Sequence, residues 1–146
     1  MGEVGLKKSR AGFRELLANW LPALMMMGLI FWTSSQSVLP GPSDKGYDFL
    51  FKKFAHLCVY SAIALSYLRG VHAARRPFLL AFLLTVLWAI SDEYHQSMTP
   101  LREPTFRDVL IDATGGGAML WLARRAIFSG CGAVRAAARA ATGIGG

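Results

Sequence analysis

The chain's 146 residues fit one domain, and 53% hydrophobic content with a mean hydropathy of +0.36 is too apolar for an ordinary soluble one, so a bilayer is the expected solvent. No apolar stretch shows the period-two alternation of a barrel strand, and each runs too long for one, which indicates an all-α fold. The net charge of +7 argues against a nucleic-acid partner, because no compact basic surface or aromatic readout module accompanies it.

Residues 1–15 mix Lys7, Lys8, Arg10 and Arg14 with Val4, Leu6 and Phe13, the composition of an interfacial lead-in. The first apolar run, Leu16 to Trp32, is long for a signal-peptide core and has no A-x-A-like cleavage site. It reads as an uncleaved anchor, with Pro22 near the helix start, where a missing N–H matters little. Thr33 to Ser37 end the run, and Pro40-Gly41-Pro42-Ser43 mark a loop. The second run, Phe54 to Leu68, leads into a tight turn over residues 69–77, closed by Pro77 at a helix start. The third run is Phe78 to Ile90, followed by a loop over 97–104 with Pro100 and Pro104. The fourth, Val109 to Leu122, contains Asp112, and beyond Arg125 the chain becomes a frayed or surface-bound tail of Ala, Arg and Gly. The expected organisation is an N-terminal segment at 1–15, a transmembrane domain at 16–128 and a tail at 129–146.

A spanning helix needs about 20 residues. The second to fourth runs fall short, so each must recruit adjacent polar sequence, which predicts spans near 14–34, 48–69, 77–97 and 105–126. Eleven basic residues (Lys7, Lys8, Arg10, Arg14, Arg69, Arg75, Arg76, Arg124, Arg125, Arg135 and Arg139) then fall on one side and five (Lys45, Lys52, Lys53, Arg102 and Arg107) on the other. The positive-inside rule predicts a four-helix transmembrane bundle with both termini cytoplasmic, its inner face suited to anionic lipids. Cys58, inside the second span, and Cys131, in the tail, lie at different depths, so no disulfide is expected.

The recruited polar turns are three signatures on the outer side: Lys53-x-x-His56-x-x-x-Tyr60, Asp92-Glu93-x-x-Gln96, and Arg102-x-x-Thr105-x-x-Asp108-x-x-x-Asp112. Lys53, His56 and Tyr60 share one helical stripe, Gln96 neighbours both Asp92 and Glu93, and Asp108, Asp112, Gly115 and Met119 form another stripe. Ionisable groups at membrane depth normally face one another or a wet cavity, so these residues are expected to converge there. Plainer roles compete: Thr105-x-x-Asp108 has the pattern of a capping box, Tyr60 of an interfacial anchor, His95 of a solvent-facing residue, the four tryptophans of belt or packing residues, and Gly115 to Gly117 of a helix-packing face. No metal site or cofactor is expected, because the histidines lie on separate helices and no H-E-x-x-H motif is present.

In this order, Ser34-Ser35, K-x-x-H-x-x-x-Y, D-E-x-H-Q, Pro100 and Arg102, and D-x-x-x-D-x-x-G from Asp108 to Gly115 resemble the VanZ-like family of small bacterial membrane proteins, over roughly residues 20–123. Asp112 stands where that family usually has Asn, which adds a negative charge, and Leu101 where Gly often precedes the Arg. The resemblance implies a multi-pass bacterial plasma-membrane protein whose namesake is associated with teicoplanin resistance; it implies no particular reaction.

The leading expectation is an outward-facing polar pocket recognising a cell-envelope component, such as a lipid-linked phosphate or peptidoglycan precursor. Lys53 and Arg102 would hold an anionic group, while Asp92, Glu93 and Asp112 orient them and bind ligand hydroxyls or amines. An enzymatic alternative makes His56 an acid or base oriented by Asp92 or Glu93, with Ser34 or Ser35 as candidate nucleophile. A third alternative is an accessory subunit docking through its small-residue helix face.

Overall fold

The computed structural model describes residues 2–37, 44–100, 105–128 and 132–144. They form five helices and no strand: α1 (Gly2–Ser34), α2 (Lys45–Gly70), α3 (Pro77–Gln96), α4 (Phe106–Phe128) and α5 (Gly132–Thr142). Local signals account for several ends. The Asp44 carboxylate accepts the Gly46 and Tyr47 N–H groups at 2.9 and 3.1 Å, which satisfies donors that the first turn of α2 leaves open. Pro77 opens α3 without losing a helical hydrogen bond.

Three helices are long and apolar enough to cross a membrane: Gly12–Ser34 of α1, Gly46–Gly70 of α2 and Pro77–Gln96 of α3. Their outer faces carry large apolar side chains in the open, among them Leu24, Met25, Phe54 and Leu87. A water-soluble surface of this kind would aggregate. This is a membrane protein by composition and by surface. α4 has comparable length, but Arg107, Asp108, Asp112 and its glycines set it apart from the other three.

Two expectations about α1 need correction. The lead-in is already helical from Gly2, and Pro22 therefore sits in the helix interior, where its ring removes one backbone hydrogen bond. The tail also differs from expectation. Gly132–Thr142 is helical, Thr142 is buried, and Gly143, at φ +68, brings the chain against His72 at the far end of α2. An Ala-rich helix with one apolar face finds a partner surface on α2 and α4, which composition alone does not reveal.

α2 is the central element and touches the other four helices. Its apolar core side chains Ile63, Ala64, Tyr67 and Leu68 pack with Ala23 and Ile30 of α1, Ala81 and Ala89 of α3, and Leu120 and Ala123 of α4. Close approach to α4 depends on glycine. A Cβ on Gly115 would lie 2.7 Å from the Leu57 carbonyl oxygen, and one on Gly116 2.7 Å from Thr85 Cγ2. The Ser61 hydroxyl is shared between the Leu57 carbonyl of its own helix at 2.7 Å and, across the same seam, the Gly115 carbonyl at 3.0 Å. The packing role expected for Gly115 to Gly117 is thus the one they fill. This seam fixes α4 in rotation, which aims Asp108 and Asp112 at α2.

Candidate functional site

The C-terminal ends of α1 and α3, the first half of α2 and the start of α4 meet at one end of the molecule, and the polar signatures meet there. On α2, residues three and four apart present Lys53, His56 and Tyr60 in line. Lys53 Nζ donates to Asp108 Oδ1. One turn further on, His56 Nδ1 lies 3.2 Å from Asp112 Oδ1, and Asp112 is completely buried. A further turn on, the Tyr60 hydroxyl donates to Asp92 Oδ2 at 3.3 Å. α2 and α4 run parallel here, so the Lys53–Asp108 and His56–Asp112 pairs repeat the same i, i+3/i+4 step on both helices.

On α3, Gln96 Nε2 donates to Asp92 Oδ2 at 3.0 Å and reaches Ser34 Oγ of α1 at 3.4 Å. Glu93 points to the chain entering α4: its Oε2 accepts the Thr105 backbone N–H at 3.0 Å, while its buried Oε1 has no hydrogen-bond partner. Asp92, Glu93, Asp108 and Asp112 stand close enough to act on one another's charge. A cavity of ≈ 140 Å³ opens beside this cluster among α1, α2 and α3. Ile30, Ala55 and Val59 line it together with Thr33, Ser34, His56, Tyr60, Asp92 and Gln96, and most of its surface is carbon.

Of the nine residues singled out from sequence, His56, Tyr60, Asp92 and Gln96 line the cavity. Lys53, Glu93, Asp108 and Asp112 form pairs beside it without lining it, and Asp112 reaches it only through His56. Arg102 lies outside the described residues. The orienting group assigned to His56 changes: Asp92 and Glu93 are engaged elsewhere, and Asp112 is its hydrogen-bond partner. The cause is helix rotation, since the glycine seam turns Asp112 toward α2 whereas Asp92 faces Tyr60.

Three plainer readings also change. Tyr60 is 1% exposed and bonded to a carboxylate, so it is no interfacial anchor. His95 does not face only solvent; its Nε2 lies 3.0 Å from Ser35 Oγ and its ring stacks on Phe31 at 4.3 Å. The Thr105-x-x-Asp108 box is divided between helices, because Glu93 takes the N–H of Thr105 and Asp108 turns to Lys53. Sequence reasoning offered Ser34 only as a candidate nucleophile and left out the rest of the share that α1 has in the cavity. Its signal was the polar run Thr33-Ser34-Ser35, which follows the apolar stretch directly and carries two of the lining residues.

The ordered succession of these pairs along the chain matches a known pattern: the sequence model of VanZ/LLP1 covers residues 7–129. The chain belongs to the VanZ/LLP1 family. The match takes in α1 from Lys7, all of α2, α3 and α4, and every residue that lines the cavity. No match was found among curated proteins or among solved structures. Among the described residues no group of three or more His, Cys, Asp or Glu is arranged to hold a metal ion.

Proposed function

We propose that this VanZ/LLP1 protein is a four-span bundle of the bacterial plasma membrane, with both termini cytoplasmic and its cavity facing outward. There it recognises the polar head of a cell-envelope component, a lipid-linked precursor or a membrane lipid. The fourth span is α4: at about 1.5 Å per residue its 23 residues match a hydrocarbon core about 30 Å thick. Its polar and glycine residues Asp112, Gly115 and Gly116 are buried, while Leu110, Trp121 and Leu122 face outward. The basic residues of the 69–77 turn and the α4 end support the orientation.

The observation that carries this reading is the cavity itself: six polar side chains around ≈ 140 Å³, at the end of helices whose outer surfaces are apolar. Polar groups held at such a depth favour a bound ligand over bare packing. Occupying an envelope component in this way would also shield it from a lipoglycopeptide such as teicoplanin, the resistance that the family resemblance implies. Native mass spectrometry of the purified full chain tests it. A lipid species should copurify and be depleted in Ala55→Phe, which fills the cavity, and in Arg102→Ala. Identical lipid complements in wild type and Ala55→Phe would count against the pocket.

A catalytic reading rests on one separate feature. His56, its Nδ1 bonded to Asp112, and Ser34 border the same cavity, the kind of base and hydroxyl that acyl or phosphoryl transfer uses. Release of a water-soluble product from lipid extracts, abolished in His56→Gln at unchanged helix content, would establish turnover.

A further inference from the structure

The polar atoms of the cavity differ in what they can accept. Lys53 is committed to Asp108 and does not line the cavity. Asp92, 4% exposed, does line it. Tyr60 and Gln96 both donate to its Oδ2, and no donor among the described residues reaches its Oδ1. His56 offers its other ring nitrogen, Nε2, which also has no partner among the described residues. In the neutral ring whose Nδ1–H donates to Asp112, Nε2 is an acceptor.

Asp92 and neutral His56 each keep one acceptor atom without a partner among the described residues, and both side chains border a mostly apolar space with room for a few heavy atoms, since a cavity of about 150 Å³ holds one benzene. The surrounding side chains do not reverse this sign: Lys53 and Asp108 cancel one another, and Glu93 and Asp112 stand near. A phosphate drawn into the cavity would meet the Asp92 carboxylate in a medium of low dielectric. An ammonium would meet an opposite charge and find acceptors for its N–H groups.

We propose that the cavity holds a primary ammonium group, carried by an ethanolamine-type lipid head or by an amino sugar, with Asp92 Oδ1 and His56 Nε2 as its acceptors. This inference rests on the pocket reading above and specifies its ligand. It leaves any phosphate of the same ligand outside the cavity, nearer the aqueous boundary. Choline has the same charge without N–H donors, and N-acetylation removes the charge, so both serve as discriminating probes.

The test is native mass spectrometry of the purified full chain, titrated separately with dihexanoyl phosphatidylethanolamine, phosphatidylcholine and phosphatidylglycerol, and with glucosamine or N-acetylglucosamine. The expected result is a preference of roughly tenfold or more for an amine probe over its partners without N–H donors or positive charge. Phosphatidylethanolamine bound in preference to both other lipids assigns a lipid head; glucosamine bound in preference to N-acetylglucosamine assigns an amino sugar. Asp92→Asn should abolish the preference, whereas Lys52→Ala should keep it. Because Asp92→Asn can disturb folding, Ala55→Phe, checked for unchanged helix content, must also lose amine binding. Amine binding undiminished in Ala55→Phe, or a preference retained in folded Asp92→Asn, would overturn the proposal. Phosphatidylglycerol favoured in the wild type and lost in Ala55→Phe would overturn the ammonium assignment and leave the pocket standing. No bound probe of any kind would sink both.

Discussion

Asp112 is fully enclosed, and its hydrogen-bond partner among the described residues is His56. Replacement by Asn keeps a carbonyl oxygen for the His56 N–H; replacement by Leu leaves that donor unsatisfied, a penalty of about 1–3 kcal/mol. Thermal unfolding in detergent should therefore place Asp112→Asn near the wild type and Asp112→Leu clearly below it; equal midpoints for the two would refute the assigned pairing. Lys52 offers the contrast, because among the described residues it bonds only to Asp48, one turn away on a partly exposed face. Such i, i+4 pairs contribute about 0.3–0.5 kcal/mol, so Lys52→Ala should be mild both in stability and in growth under lipoglycopeptide stress. In the same growth assay Arg102→Lys should impair function at matched expression, since an ammonium cannot reproduce a two-pronged guanidinium contact. Equal tolerance of the two changes would remove Arg102 from the functional residues.

Among the elements, the α2–α4 seam controls the site, because it sets the rotation that pairs Asp108 and Asp112 with Lys53 and His56. A methyl group on Gly115 would press on the backbone oxygen of Leu57, which cannot swing away, whereas one on Gly117 would meet the Phe82 ring at 3.2 Å. Gly115→Ala should cost about 1–3 kcal/mol, with Gly117→Ala milder because a ring can shift. Unfolding midpoints of the two variants check the order. The ends of α2, α3 and α4 were legible in the sequence to within a few residues, since apolar runs bounded by Pro and polar turns leave a helix few places to stop. Partner choice was not. Placing Lys53, His56 and Tyr60 on one stripe needs only the 3.6-residue period, but assigning His56 to Asp112 rather than Asp92 needs the rotation of each helix about its axis. That rotation is set by contacts such as Gly116 on Thr85, which have no local signature. α5 was illegible for the same reason: its helix is stabilised by docking.

For the whole molecule, the proposed orientation makes a sharp expectation. Alkaline phosphatase fused after the last residue should be inactive and a fluorescent reporter there bright, with the opposite pattern for insertions in the 97–104 loop; active phosphatase at the C-terminus would invert the topology and place the cavity in the cytoplasm. The pairs that close the site also impose an order of events on its birth. His56 and its partner are 56 residues apart, and Lys53 and Asp108 are 55 apart. At about 5–20 residues per second, Asp112 emerges roughly 3–11 s after His56. For that interval α2 has a lysine and a histidine whose counter-charges do not yet exist. The nascent chain must wait with those groups in a wet or protein-lined compartment, such as the mouth of the insertion machinery, until α4 arrives. A ribosome stalled before α4 should accordingly hold α2 crosslinkable to that machinery, and release should coincide with synthesis of the helix that brings Asp108 and Asp112.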